Sequence, residues 1–178
     1  LAIAEGRARS DSAIVSFSAG WVAHAYMHKR DWRRAQEYAD ASFREAPTGY
    51  FQGFPQASLA RIACETGEVQ RGIETLAQIE QMAYASGHRP AWGVFLAMLS
   101  EGYIIAQDWE QASGILKKLN VLASQTPHSF FSVLSSRLLG EVACAEGQRR
   151  EAAIRFQYAI DAARTSGLMN ELGLALAA

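Results

Sequence analysis

The segment LSEGYIIAQDWEQA, residues 99–112, decides the fold, because it holds a helix end, a tight turn and a helix start. Apolar residues recur at helical spacing from Leu99 to Ile105 and again from Trp109 onward. The Gln107-Asp108 pair interrupts them. The segment therefore predicts two amphipathic helices joined by a short turn.

The same arrangement recurs along the chain. A small residue follows each of four turns, and these residues lie 37, 40 and 40 positions apart: Ala35, Gly72, Ala112 and Ala152. A large aliphatic residue and then a small one precede each turn: Val22-Ala23, Leu59-Ala60, Leu99-Ser100 and Leu139-Gly140. Periods of this size are typical of helical repeats. We therefore predict a single repeat domain over 1–178, with helix pairs near 12–46, 51–86, 90–124 and 129–166 and a trailing helix at 168–178.

Composition excludes several classes of protein. Hydrophobic residues make up 49% of the chain and charged residues 20%, as expected of a folded protein. The 17 Lys and Arg residues against 18 Asp and Glu residues give a formal net charge of −1, which argues against direct nucleic-acid binding. No apolar run approaches the roughly 20 residues that a membrane span needs.

The two cysteines and the chain ends add two expectations. Cys64 and Cys144 have no CxxC neighbour, so we interpret them as small buried residues suited to a reducing cytoplasm. The sequence begins and ends in mid-pattern, so we expect a fragment of a longer protein. The trailing helix carries Leu168, Leu172, Leu174 and Leu176, and we expect its apolar face to be exposed.

The repeats resemble the tetratricopeptide (TPR) motif. The match is clearest for Leu99-Ser100 with Tyr103 and Ala112, and for Val22-Ala23 with Tyr26 and Ala35. The resemblance covers roughly 12–166 and implies an all-α, right-handed α-solenoid of helix-turn-helix repeats. Because the period exceeds the roughly 34 residues of a TPR, we describe the repeats as TPR-like.

A narrower resemblance concerns the order of four segments, Gly67–Ile73, Ser86–Pro90, Leu99–Glu101 and Leu138–Val142. This order is similar to the repeat arms of large bacterial signalling ATPases. In those proteins the arm accompanies an adenylate or guanylate cyclase domain or a LuxR-type DNA-binding domain. The resemblance implies a sensor or scaffold arm, and this sequence has no GxxxxGK[ST] phosphate loop.

Repeat register predicts which side chains line a concave groove on the first helices of the pairs. One row holds His24, Arg61, Glu101 and Glu141; His28 and Glu65 belong to a second row and Arg137 to a third. Such a groove suits a protein or peptide partner, or a small ligand. Alternatively, Arg61 with Glu65 and Arg137 with Glu141 only pair with each other at i,i+4 spacing.

Catalytic and metal signatures are weak. His24 and His28 could share a metal at i,i+4 spacing, but zinc needs three or four ligands, so we predict no metal and no cofactor. No GxSxG surrounds Ser132, Ser135 or Ser136. We therefore expect a non-enzymatic interaction or ligand-sensing module of a multidomain signalling protein, or alternatively a free-standing scaffold that captures a partner's peptide.

Overall fold

A computed structural model describes residues 2–47, 50–125 and 130–177, and this part of the chain contains helices and no strand. The helices are α1 (Ala2–Ala8), α2 (Ser12–His28), α3 (Trp32–Glu45), α4 (Tyr50–Glu65), α5 (Val69–Ala85), α6 (Arg89–Ile105), α7 (Trp109–Ser124), α8 (Phe130–Ala145), α9 (Arg149–Ser166) and α10 (Met169–Ala177). The all-α class is confirmed. We call α2, α4, α6 and α8 the A helices and α3, α5, α7 and α9 the B helices.

The helices form two compact units, Leu1–Ile79 and Glu80–Ala178, and the boundary between them falls inside α5. The first unit contains α1 to α4 and the start of α5. The second contains the end of α5 and α6 to α10. That all the repeats form one domain stays a prediction.

The four turns between the two helices of a pair share a backbone feature. A positive φ occurs at the same repeat position in all four turns: Arg30 (55°), Gly67 (107°), Gln107 (58°) and Gly147 (76°). In two turns an aspartate follows and caps the B helix. The carboxylates of Asp31 and Asp108 each accept a backbone N–H three residues later at 3.1 Å. The turns thus end one helix and begin the next within three residues.

Small residues bring the helices of the first unit close together. Ser16 of α2 and Ser42 of α3 are buried, and each hydroxyl donates to the other residue's carbonyl, at 2.9 and 2.7 Å. Gly20 lies under the ring of Phe54 on α4, because a Cβ at position 20 would come within 2.9 Å of that ring. The first two A helices therefore pack with an aromatic ring against a glycine.

The second unit has an aliphatic core. The side chains at its centre come from α6, α7 and α8 and are fully buried: Leu96, Leu116, Leu119 and Leu138. Trp109, which follows the turn, packs against this core. A Cβ at Gly93 of α6 would lie 2.7 Å from the ring of Phe131 on α8, so glycine and aromatic ring meet here as well.

Two expectations need correction. Cys64 is buried as predicted, but Cys144 is exposed. The apolar face of the trailing helix α10 is not exposed along its whole length. Leu168, just before the helix, and Leu172, within it, pack against buried residues of α8 and α9, namely Val133, Ala159 and Ala163. Leu176, in contrast, is 59% exposed.

No helix in the described ranges is long and apolar enough to cross a bilayer.

Candidate functional site

A partly exposed row of aromatic and histidine side chains runs along α2. Phe17, Trp21, His24 and His28 follow each other at spacings of four, three and four residues, which places them on one face of the helix. Phe17 is 61% exposed and Trp21 is 46% exposed. Phe54 of α4 adds a ring whose centroid lies 5.5 Å from that of Trp21. We call these five residues the aromatic–histidine stripe.

The rings of the stripe contact each other along its length. Phe17 and Trp21 meet edge to face at 6.0 Å between centroids, and Trp21 and His24 do so at 5.8 Å. The Nε2 atoms of His24 and His28 lie 3.0 Å apart, so a proton on one imidazole can be donated to the other. These contacts restrict the rotamers of the side chains, although Phe17 and Trp21 face solvent.

The predicted pair of Arg61 and Glu65 is formed on α4. The Nη1 atom of Arg61 lies 2.9 Å from Oε1 of Glu65, and the two side chains are 14% and 27% exposed. Each charge therefore already has an opposite charge beside it. This is the alternative that the i,i+4 spacing offered, and a role of these two residues in ligand contact stays a prediction.

A buried ion cluster occupies the second unit. Arg137 of α8 meets three carboxylates: Glu141 one turn later on α8, at 2.5 Å, Glu101 of α6 at 3.3 Å, and Glu171 of α10 at 3.0 Å. The Arg137 and Glu171 side chains are only 5% and 4% exposed. We call these four residues the Arg137 cluster. It joins the helices α6, α8 and α10 of the second unit.

The charges within the Arg137 cluster and its burial shift the pKa values of Arg137 and Glu141. Burial alone would lower the pKa of Arg137, but the carboxylates of Glu101, Glu171 and Glu141 hold it above its ordinary value. Burial raises the pKa of Glu141; Arg137 opposes this shift, and Glu101 and Glu171 add to it. The guanidinium of Arg137 therefore stays charged. The carboxyl of Glu141 takes up its proton at a higher pH than an ordinary glutamate does.

The predicted groove residues thus divide between the two units. His24, His28, Arg61 and Glu65 belong to the first unit, and Glu101, Arg137 and Glu141 belong to the second. Within each unit the predicted residues meet one another: the histidines in one pair, Arg61 with Glu65, and the last three around the guanidinium. Among the described residues, no group of three or more His, Cys, Asp or Glu side chains is arranged to hold a metal.

Sequence reasoning missed three members of these sites. Phe17 and Phe54 were not singled out, although the spacing of Phe17, Trp21, His24 and His28 is a signal for one continuous helix face. Glu171 was also missed, because it lies among the leucines of a helix that was expected to have no partner. Its signal was an acidic residue in an otherwise apolar segment.

Comparisons with known proteins establish the fold alone. A crystal structure of nearly identical TPR-like repeats from a putative kinesin light chain of Podospora anserina is similar to this chain, with a TM-score of 0.61 and 19% sequence identity. The match covers 93% of this chain and 83% of that one. The TPR-like repeat fold is thereby confirmed. No protein-family model matches the sequence, and no curated protein matches it significantly.

Proposed function

We propose that this chain is a non-enzymatic interaction module that binds a peptide or protein segment through the A-helix side of its first unit. One observation carries the proposal. Phe17 and Trp21 expose 61% and 46% of their surface side by side, next to the His24–His28 pair. Aromatic side chains are enriched at protein interfaces, where they supply most of the binding energy. TPR-like repeats are typical of such scaffolds.

The stripe offers a partner both apolar contact and hydrogen bonds. The rings of Phe17, Trp21 and Phe54 present apolar surface, and the imidazoles of His24 and His28 present donors and acceptors. Since the ring contacts already orient these side chains, binding orders few additional rotamers, which favours affinity. The ligand that fits best is a segment with one or two large apolar side chains and a polar group between them.

The Arg137 cluster is a poorer candidate for the first contact with a partner. Its guanidinium is 5% exposed, and three carboxylates already bind it. A ligand would have to displace one of these carboxylates and leave it buried without its counterion, which is costly. Glu101 and Glu141, which are 21% and 29% exposed, remain the members that a ligand can reach.

In its wider setting, the proposed module is the sensor or scaffold arm of a cytoplasmic multidomain signalling protein, beside an ATPase or cyclase domain or a DNA-binding domain. The support is the resemblance in the order of repeat segments. The alternative is a free-standing scaffold that captures a partner's peptide. The full-length reading frame distinguishes them: a phosphate loop or cyclase domain elsewhere in it favours the arm, and an uninterrupted repeat array favours the scaffold.

The peptide proposal is tested with a random peptide library displayed on phage. The wild-type chain and the Phe17→Ala/Trp21→Ala variant are used as bait, with Tyr84→Ala as the matched control, because Tyr84 is an aromatic residue 67% exposed on α5. We expect aromatic- or leucine-rich peptides to be enriched by the wild type and the control but not by the double variant. Equal enrichment by all three would refute the stripe as the site. Circular dichroism verifies that each variant is folded.

A further inference from the structure

A cavity lies in the second unit, on the side of the B helices. It has a volume of about 540 Å³ and opens between α7 and α9, with α8 forming its floor. Its polar lining comes from all three helices: Asn120, Ser124, Ser132, Ser136, Glu151, Arg155 and Tyr158. We call this cavity the B-helix groove. Its volume is that of ordinary small-ligand sites, about 300 to 1,000 Å³.

The floor of the B-helix groove carries the hydroxyl group of Ser136. Ser136 is 5% exposed, and within residues 2–47, 50–125 and 130–177 its hydroxyl makes no hydrogen bond. Two other buried helical serines, Ser58 and Ser100, instead donate to the carbonyls four residues earlier, at 3.0 and 2.7 Å. The Ser136 hydroxyl faces the groove, so it is available to form a hydrogen bond with a ligand there.

One wall of the groove combines charge with apolar surface. The Nε atom of Arg155 donates to Glu151 at 2.7 Å, which leaves the outer nitrogens of the guanidinium fork to meet an anion. Ile154 and Tyr158 flank it on the same face of α9 and are 56% and 46% exposed. Anion, apolar group and hydrogen-bonding group can thus be bound within one cavity.

We propose that the B-helix groove binds an amide-linked apolar amino acid with a free carboxylate. The carboxylate lies on Arg155, the apolar side chain against Ile154 and Tyr158, and the amide against the Ser136 hydroxyl. Two sources present this chemistry, namely a small acylated amino acid and the C-terminal residue of a peptide. The site lies in the other unit from the aromatic–histidine stripe, so either proposal can fail without the other.

The test uses N-acetyl-leucine as the probe and follows the backbone amide signals of the folded chain by two-dimensional NMR. We expect saturable shifts at residues of the B-helix groove. N-acetyl-leucinamide, which lacks the carboxylate, is expected to bind about tenfold more weakly, since it cannot form the charge-assisted hydrogen bond to Arg155. A hexapeptide ending in leucine distinguishes the sources: tighter binding than the acyl amino acid indicates a peptide C-terminus, and weaker binding indicates the small molecule.

Variants make the assignment specific. Arg155→Gln and Ser136→Ala should each weaken binding of N-acetyl-leucine by about tenfold. Arg33→Gln is the matched control, because Arg33 forms the same i,i+4 pair with Glu37, at 2.7 Å, on α3. No shift at the groove, equal affinity for acid and amide, or unchanged affinity in Arg155→Gln would each overturn the proposal.

Discussion

The Nε atom of Arg137 donates to Oε2 of Glu171 at 3.0 Å, and this bond ties α8 to the last helix of the chain, α10. Both side chains are nearly inaccessible to solvent. A buried ion pair adds little net stability when it forms, but losing one partner leaves a buried charge that nothing compensates. The closing helix is therefore attached by a contact that tolerates few changes.

Replacing Arg137 by methionine should destabilise the chain strongly. The change leaves Glu101, Glu141 and Glu171 without their shared cation, and removal of one partner of a buried pair costs about 3 to 5 kcal/mol. Urea denaturation measures the free energy of unfolding. Arg33→Met is the control, because its exposed pair with Glu37 contributes only about 0 to 1 kcal/mol. Equal losses in the two variants would show that the cluster is not buried as described.

Glu141 should make the stability of the fold depend on pH. Its pKa is raised in the folded chain, so the folded chain binds the proton more tightly than the unfolded chain does. The contribution of Glu141 to the free energy of unfolding therefore increases as the pH falls through the folded pKa, and it is complete below the ordinary value of 4.5.

Glu141→Gln isolates this effect, because glutamine resembles the protonated carboxyl at every pH. We expect the variant to be more stable than the wild type at neutral pH, and the difference to shrink as the pH approaches 4.5. Thermal unfolding of both proteins across this range gives the comparison. A difference that grows on acidification would mean that the carboxylate, not the acid, is the favoured form in the fold.

The turns offer a test of backbone strain. Gln107 has a φ of 58°, a region that disfavours side chains other than glycine by about 1 to 2 kcal/mol. Gln107→Gly relieves this strain, but glycine also gives the unfolded chain more freedom, which offsets part of the gain. The variant should therefore be more stable by about 0.5 to 1 kcal/mol. Gln125→Gly is the control, because Gln125 ends α7 with a φ of −80° and has no strain to relieve. Thermal unfolding should show a gain for the first variant alone.

Substitution by alanine should have opposite effects on stability at two glycines in neighbouring helices. A Cβ at Gly93 would lie 2.7 Å from the Phe131 ring, so Gly93→Ala should destabilise by about 1 to 3 kcal/mol. A Cβ at Gly114 meets nothing within 4 Å, and Gly114→Ala should stabilise α7 by about 0.8 to 1 kcal/mol through helix propensity. The denaturation midpoints of the two variants show whether each substitution stabilises or destabilises the chain. A loss of stability in both variants would contradict the open space assigned to Gly114.

Local patterns predicted the fold well, because the information lies within each repeat. The small residues Ala35, Gly72, Ala112 and Ala152 are all buried where α2 to α9 pack in pairs. The i,i+4 pairs on α4 and α8 follow equally from helix geometry. None of these features requires knowledge of which distant residues come together.

The candidate sites were predicted less well, since they depend on contacts between repeats. The contact of Glu171 with Arg137 spans 34 residues and depends on how α10 packs against α8. The contact of Trp21 with Phe54 depends in the same way on the approach of α4 to α2. The opening between α7 and α9 is likewise a product of packing, and no sequence spacing indicates it.

The glycines under Phe54 and Phe131 also bear on how such an array can evolve. Gly20 accepts the ring of the next A helix, and Gly93 does the same for Phe131, but the two glycines occupy different positions in their repeats. At the positions equivalent to Gly20 the other repeats have Ala57, Ala97 and Arg137, so a phenylalanine placed like Phe54 would meet a bulkier residue there. Growth of the array by copying the first junction would therefore require a compensating substitution to glycine in the preceding repeat.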